Sequence, residues 1–246
     1  MFNYLRVDIK VLFRIPLSVF FTLGYPIMMM FIIVGSYGNV EIGNGLHLID
    51  KYFLITIGMG LLPLTLISFP TWIASSIEDN SLKRMQYFRV PFFTIVSSAV
   101  LAHFLVALAG MALNIGVAKV LFNLTFPTMG HFIAFIMQYI IAIIIYMLEG
   151  SVIALILKRS DLVMPCGLVL MFGMYMFCGA FITYDELPMS IKIISKYLPM
   201  KYMMIDSFDI WSNSSYFIGK YLILSLIYII VLIILLIGIY RKSYQR

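Results

Sequence analysis

Charge-free apolar stretches divide the chain into long hydrophobic segments separated by short polar ones. Six such stretches occur, and each is at least as long as the roughly 20 residues that a helix needs to cross a hydrocarbon core of about 30 Å. The strands of a membrane β-barrel would instead alternate over about 10 residues. The pattern therefore predicts six transmembrane helices, at approximately 17–37, 53–76, 92–118, 131–157, 162–183 and 216–240.

Composition excludes a soluble globular protein. Of the 246 residues, 63% are hydrophobic and only 11% are charged, and the mean hydropathy is +1.03. Ordinary soluble domains are about 45–50% apolar and about 25% charged, so this chain has too few charges to cover a water-exposed surface. We expect an all-α integral membrane protein in which residues 1–246 form a single transmembrane domain.

The basic residues are distributed unequally between the two sets of connecting segments. Of the 17 Lys and Arg residues, eleven fall in the set that includes both termini, and six fall in the opposite set. Because segments rich in Lys and Arg stay in the cytoplasm, we expect both termini to be cytoplasmic. The net charge of +6 then reflects membrane topology, and it does not imply binding to nucleic acid.

The N-terminal segment, residues 1–16, is basic and amphipathic. Arg6, Lys10 and Arg14 recur at helical spacing among apolar residues, and Pro16 ends the pattern. Such a helix would lie in the cytoplasmic interface of the membrane. The alternative is a positively charged flank that only orients the first span.

The segment at 78–91, between the second and third spans, is cytoplasmic in this topology. Asn80 or Ser81 can cap a short helix at 82–88, with two acidic residues beside its N-terminal end and Arg89 near its C-terminal end. A rigid helix of about two turns could convey the movement of a bound partner into the membrane. The alternative is a solvated loop, which the charge run taken alone favours.

The segment at 184–212, between the fifth and sixth spans, is too charged to cross the membrane and too apolar for a free loop. An acidic first turn with a proline predicts one helix, which a second proline ends before another helix at 201–211. Each helix would be about 15 Å long, which suggests a re-entrant hairpin in the outer leaflet. An interfacial pair that seals the outside of the bundle is the alternative. The marker residues are Asp185, Glu186, Pro188 and Pro199.

Two motifs in these segments resemble permease subunits of the type 2 class of ATP-binding cassette exporters. Glu78-Asp-Asn-Ser-Leu-Lys-Arg, followed by Pro91, resembles their coupling-helix signature, in which an acidic pair precedes Gly-Thr-Leu-Lys-Arg and then a proline. The stretch 179–188, followed by Tyr197-Leu-Pro199-Met-Lys-Tyr202, resembles the region after their fifth span. Asn80 stands where the family usually has Gly, and Asn tolerates the same left-handed backbone.

The resemblance implies that the chain is the membrane half of an exporter. The sequence contains no Gly-Xaa4-Gly-Lys-Ser/Thr phosphate loop, so ATP and Mg²⁺ would be bound by a separate cytoplasmic ATPase dimer, and this chain would hold no cofactor. A second permease chain, identical or paralogous, would complete the pathway, which would open outward as the ATPase closes on ATP. The residues that the resemblance assigns to ATPase coupling are Glu78, Asp79, Asn80, Ser81, Leu82, Lys83, Arg84 and Arg89.

Two polar residues within the spans are candidates for a functional contact. Glu149 lies about 13 Å from the cytoplasmic end of the fourth span, and His103 lies about 18 Å up the third span. Because an intramembrane acid is costly unless it is paired or neutral, we hypothesise a Glu149–His103 contact. The alternative is a protonated Glu149 that is bonded to backbone or to a serine within a packed bundle.

Other functional classes have weaker sequence support. A secondary transporter should show internal repeats and several intramembrane charges, and an intramembrane enzyme should show converging polar groups. The sequence predicts neither a catalytic site nor a metal site. The small, loop-poor chain suggests a bacterial plasma membrane. By the resemblance, the exported substrate would be amphipathic or hydrophobic. Peptides or toxins are the substrates we expect, and drugs, lipids or lipid-linked glycans are the alternatives.

Overall fold

The computed structural model describes residues 2–14, 20–43, 45–81, 84, 87 and 91–244. Within these ranges, six helices are long and apolar enough to cross a membrane, which confirms the predicted number of spans in a mostly helical protein. They are α2 (Phe20–Tyr37), α3 (Leu48–Glu78), α4 (Phe92–Phe122), α5 (Met129–Leu157), α6 (Ser160–Phe177) and α9 (Gly219–Tyr244).

Shorter elements flank these spans. Helix α1 (Phe2–Arg14) packs against α4, and its position in a membrane interface stays a prediction. Strands β1 (Glu41–Gly43) and β2 (Leu46–His47) form an antiparallel ribbon between α2 and α3, which the sequence analysis did not predict. Between α6 and α9 lie a 3₁₀ turn (Tyr184–Glu186), helix α7 (Met189–Ser195) and helix α8 (199–211).

Two span boundaries differ from the predicted ones for identifiable reasons. Helix α3 begins five residues early, at Leu48, because the Asp50 carboxylate accepts a hydrogen bond of 2.7 Å from the backbone N–H of His47 and caps the first turn. Helix α6 ends at Phe177, six residues early. Gly179 follows it in the left-handed region, with φ of +76°, and the Ala180 N–H bonds back to the Tyr175 carbonyl.

Helix α3 is the centre of the bundle. It contacts α2, α4, α5 and α6, and most of its side chains are buried. Helix α9 is the opposite extreme, since it packs mainly on α5 and leaves long apolar side chains exposed. A protein that leaves one span so exposed must cover it with lipid or with another chain.

A proline and a wide turn interrupt α3 near its middle. Pro63 has no N–H, so the carbonyl of Met59 loses its helical donor. Tyr175 of α6 supplies the missing bond, because its Oη lies 2.6 Å from that carbonyl oxygen. The chain then makes a π-helical turn over Leu64–Ser68 before it returns to α-helix.

Two glycines let neighbouring spans approach this turn closely. A Cβ atom placed on Gly150 of α5 would lie 2.3 Å from the Thr65 carbonyl oxygen, and one placed on Gly167 of α6 would lie 2.2 Å from that of Leu66. Neither gap accommodates a methyl group. Backbone proximity, rather than side-chain interlocking, therefore holds the centre of the bundle together at these points.

Candidate functional site

The predicted coupling segment starts with a sharp corner at the end of α3. Asn80 has a left-handed backbone, with φ of +52°, which is the conformation that we expected asparagine to tolerate at this position. Its carbonyl accepts a 3.0 Å bond from the Arg84 N–H, the first bond of a following helical turn. Leu82, Lys83 and Arg89 lie outside the described residues, so the complete coupling helix stays a prediction.

The side chain of Ser81 has a partner at the end of α3. Its hydroxyl donates a 3.3 Å hydrogen bond back to the carbonyl of Ser76 in the last turn of that helix. Arg84 also reaches back, and its Nη2 lies 2.7 Å from the carbonyl of Asp79. The left-handed corner folds both side chains over the end of α3, whose last carbonyls lack helical donors. Which of Asn80 and Ser81 caps the predicted coupling helix stays a prediction.

Glu78 has a partner that the sequence analysis missed. Its carboxylate was expected beside the coupling helix, but Oε2 accepts hydrogen bonds from the backbone N–H of Ser160, at 3.1 Å, and from its hydroxyl, at 2.8 Å. Ser160 is the first residue of α6, where a negative group is favourable beside the unpaired N–H groups and the helix dipole. This exposed link ties the corner to α6. The sequence contains one signal for this contact. Ser160-Asp161 lies just before the predicted fifth span, so it marks the helix start at which an acidic side chain can bind.

The structure separates His103 from Glu149, so the predicted contact between them is wrong. The buried His103 donates from Nδ1 to the carbonyl of Ala99 at 2.8 Å, and its Nε2 lies 3.5 Å from Ser68 Oγ. Its ring also packs edge-on against Phe69, with centroids 5.0 Å apart. All of these partners lie in α3 and α4, which together enclose the imidazole.

Glu149 lies on the other side of the bundle, towards α9. Among the described residues, its buried Oε2 has no hydrogen-bond partner, and neither has the buried hydroxyl of Tyr146 one turn earlier. Apolar residues of α5 and α9 surround this region, including Ile145, Val152 and Leu232. The alternative prediction, a bond from Glu149 to backbone or serine, is not met at Oε2. An unpaired acid at this depth is costly, which keeps Glu149 a candidate for testing.

The helices between α6 and α9 begin and end differently from the prediction. Asp185 and Glu186 form the 3₁₀ turn, and Pro188 directly precedes α7. Pro199 was expected to end the first helix, but it is the first residue of α8. This position suits proline because the first N–H groups of a helix need no intrahelical partner. The turns over 196–198 separate the two helices instead.

Helix α8 is built into the bundle, whereas α7 is exposed. Met200 and Met204 of α8 pack against Gly58 of α3, and all three residues are buried. Gln138 of α5 donates a 3.1 Å bond to the Tyr202 carbonyl, in the π-helical part of α8. In α7, by contrast, Met189 and Ile193 are more than half exposed. That α7 and α8 form a re-entrant hairpin stays a prediction. Helix α8 nevertheless contacts α3 at Gly58, well away from the end of that span.

Lys201 organises the start of α8. Its Nζ lies 2.6 Å from Asp206 Oδ2, and the rings of Tyr184 and Tyr202 lie 5.0 and 4.8 Å away. Both ion-pair side chains are mostly buried, with 12% and 23% of their surfaces exposed. Burial raises the pKa of the neighbouring Asp209, Asp206 adds to this, and Lys201 opposes it. The sequence analysis placed Lys201 and Asp206 in one helix, at 201–211, but did not select them as a pair, because residues five apart are not neighbours on a regular α-helix.

Trp211 anchors the other end of α8. Its indole N–H donates a 2.9 Å bond to the carbonyl of Thr125, and its ring packs against Phe53 at 4.4 Å and Phe135 at 5.3 Å. The backbone N–H of the same Thr125 donates to the buried Asp50 at 2.7 Å. One loop residue thus joins the start of α3 to the end of α8.

The described residues contain no group of three or more His, Cys, Asp or Glu side chains that could hold a metal ion.

Comparisons with curated proteins and with solved structures found no match. A comparison with protein families did: the chain is similar to the ABC-2 type transporter family over residues 3–205. The matched part contains α1, the first five spans, the corner at Asn80 and the first half of α8, and it stops before α9.

Proposed function

Because the chain belongs to the ABC-2 type transporter family, and is thus the membrane subunit of an ATP-binding cassette transporter, we propose that it serves an exporter. The observation that carries this proposal is the family match over residues 3–205, which spans five of the six candidate membrane helices and both motifs, at 78–91 and 179–202. Family members are generally non-catalytic and work with cytoplasmic ATPase subunits.

In this proposal, ATP is hydrolysed by a separate ATPase dimer, which binds the ATP and the Mg²⁺. The segment Glu78–Arg89 docks into a groove of that ATPase. The geometry of the corner supports this role, because the left-handed Asn80 turns the chain sharply and the Glu78–Ser160 link joins the corner to α6. A push on the coupling segment would then reach α3 through the chain and α6 through the link.

Two permease chains, identical or paralogous, form the pathway, and closing of the ATPase dimer opens it outward. Exposed apolar side chains on α2 and α6, such as Phe31, Ile32 and Val169, are compatible with a second chain. The complex sits in a bacterial plasma membrane with both permease termini in the cytoplasm. The substrate is amphipathic or hydrophobic, and peptides or toxins are our choice.

Co-purification with the partner tests the assembly. We expect a tagged permease to retain an ATPase that carries a phosphate loop, with two copies of each subunit in the complex. In proteoliposomes, amphipathic peptides should stimulate its ATPase activity more strongly than drugs or lipids do. A permease that purifies without any ATPase, and that moves substrate without ATP, would contradict the assignment to an ATP-driven exporter.

Substitution of the coupling segment tests the mechanism. In the complex, Leu82→Ala, Lys83→Ala and Arg84→Ala together should reduce ATP-dependent export at least tenfold, because they remove the side chains expected to contact the ATPase. Asp161→Asn is the matched control, since it changes an exposed charge on the same side of the bundle. Unchanged export in the triple variant would show that coupling occurs elsewhere.

A further inference from the structure

A cavity of about 290 Å³ lies between α1 and the main bundle. Its walls come from α1, the start of α2, the middle of α3, and the adjoining parts of α4 and α6. The lining is mainly apolar. Among the described residues, the side chains of Asp8, Ser68, Thr71, Ser75 and His103 contribute polar groups to it. This cavity is distinct from the corner at Asn80 and from the helices between α6 and α9.

Asp8 presents a carboxylate to this cavity, and no basic side chain of the described residues pairs with it. It is partly buried in α1, and within the described residues its one hydrogen-bond partner is the hydroxyl of Ser98 in α4, which donates to Oδ2. No salt bridge to Asp8 occurs there. Burial raises the pKa of the Asp8 carboxyl above its ordinary value, and the Ser98 bond opposes this. A carboxylate in such a place is stabilised by any cation that can reach it.

The other polar groups of the cavity add hydrogen-bond acceptors. A carbonyl oxygen can only accept, so the 2.8 Å contact with Ala99 places a proton on His103 Nδ1, and a neutral ring then presents Nε2 as an acceptor. Thr71 Oγ1 is buried and has no hydrogen-bond partner among the described residues. A ligand that brings an N–H donor would satisfy the Thr71 hydroxyl, which is left without a described partner in its absence.

An aromatic wall completes the site. Trp72 lines the cavity and is stacked on Phe69, with ring centroids 6.4 Å apart and an angle of 8° between the planes. Phe21 lines it from α2. Aromatic rings offer a large apolar surface against which the hydrophobic part of a ligand can pack. The charge, the acceptors and the aromatic wall therefore favour the same kind of ligand.

We propose that this cavity binds a small amphipathic amine, with the ammonium group held by Asp8 and Thr71 and the apolar body held between Trp72 and Phe21. The volume is at the lower end of the range for ligand pockets, about 300–1,000 Å³, so it suits one small amphiphile and is too small for a peptide. Anionic amphiphiles are excluded because Asp8 repels them. The site does not depend on the identity of the exported substrate.

The two tryptophans of the chain make this site measurable. Trp72 lines the cavity, whereas Trp211 is buried at the end of α8. We would reconstitute the full-length permease in lipid nanodiscs and add dodecylamine that carries a nitroxide quencher on its chain. A dodecanol with the same quencher is the matched uncharged probe. The difference in fluorescence between the parent protein and Trp72→Phe is the emission of Trp72, and it reports the cavity alone.

We expect saturable quenching of Trp72 by the amine and only weak, linear quenching by the alcohol. Asp8→Asn should raise the Kd of the amine at least tenfold, because it removes the charge while its amide oxygen still accepts from Ser98. Ser98→Ala should bind the amine at least as tightly as the parent protein, since it frees Oδ2. Glu41→Gln, a change of an exposed acid in β1, should leave the Kd unchanged.

Competition distinguishes the two sources of such an amine. If the cavity takes its ligands from solution, the water-soluble phenylbutylamine should displace the labelled amine. If ligands enter from the bilayer, only long-chain amines should displace it. Both results support an amine site. Equal quenching by the amine and the alcohol, or an unchanged amine Kd in both Asp8→Asn and Thr71→Val, would overturn the proposal.

Discussion

Pro63 shows how a single residue creates a requirement that another span must meet. By removing the helical donor to Met59, it leaves a buried carbonyl that Tyr175 satisfies at 2.6 Å. A polar group left unpaired within a membrane bundle costs free energy, although measured side-chain bonds in such bundles average only about 0.6 kcal/mol. The bond therefore contributes modestly to stability but fixes the rotation of α6 against α3.

Tyr175→Phe should lower the stability of the permease by about 1 kcal/mol, because the Met59 carbonyl then has no donor. Thermal unfolding in a mild detergent measures this. Tyr139→Phe is the matched control: its hydroxyl bonds, at 3.2 Å, to the Ala107 carbonyl, which lies within an uninterrupted stretch of α4. A larger loss in the control than in Tyr175→Phe would contradict the role we assign to Pro63.

Glu149 is the second prediction at the residue scale. Its buried Oε2 has no described partner, so an ionised side chain there would be poorly solvated. If its charge serves transport, Glu149→Gln should reduce export severalfold without lowering the stability of the permease. Export and thermal unfolding of the same preparation measure both quantities. Unchanged values for both would exclude a functional charge at this position.

At the scale of elements, the corner between α3 and the predicted coupling helix depends on one backbone conformation. Asn80 adopts φ of +52°, which most residues adopt only at a cost of about 1–2 kcal/mol. Asn80→Gly should therefore preserve ATP-coupled export, and Asn80→Val should reduce it because a β-branched residue resists this backbone. Export by the purified complex is the measurement. Equal activity of the two variants would show that the corner does not control coupling.

Helix α8 depends on an ion pair that is largely shielded from water. Lys201→Met leaves Asp206 mostly buried without its partner, so this variant should lose more stability than Lys201→Met combined with Asp206→Leu. The emission of Trp211, ten residues further along α8, should shift to longer wavelength at a lower temperature in the single variant. The reverse order of stability would show that the pair contributes little to the position of α8.

At the scale of the whole molecule, the spans pack around the π-helical turn of α3. Gly150→Ala and Gly167→Ala should each destabilise the bundle by about 1–3 kcal/mol, since a methyl group would overlap a carbonyl oxygen of α3. Gly116→Ala in α4 is the matched control, because its Cβ would meet no other atom within 4 Å. Thermal unfolding compares the three. Equal stability of all of them would mean that the spans are less closely packed than we describe.

The charges along the chain determined the number of spans and the location of both motif-bearing segments. These properties follow from the thickness of the bilayer and from the cost of placing charges within it, and both are visible in residue order alone. The left-handed backbone at Asn80 was predictable for a similar reason, because a residue's tolerance of that conformation is local.

Only the tertiary structure decided which faces of the helices meet. Lipid and protein interior are equally apolar, so a spanning helix shows little amphipathic pattern to indicate its rotation. His103 and Glu149 therefore looked like partners by depth, yet His103 packs with α3 and Glu149 lies towards α9. The Glu78–Ser160 link joins residues 82 positions apart, and Tyr175 and Met59 are 116 positions apart. Such pairs arise when the bundle packs, since no local spacing along the chain specifies them.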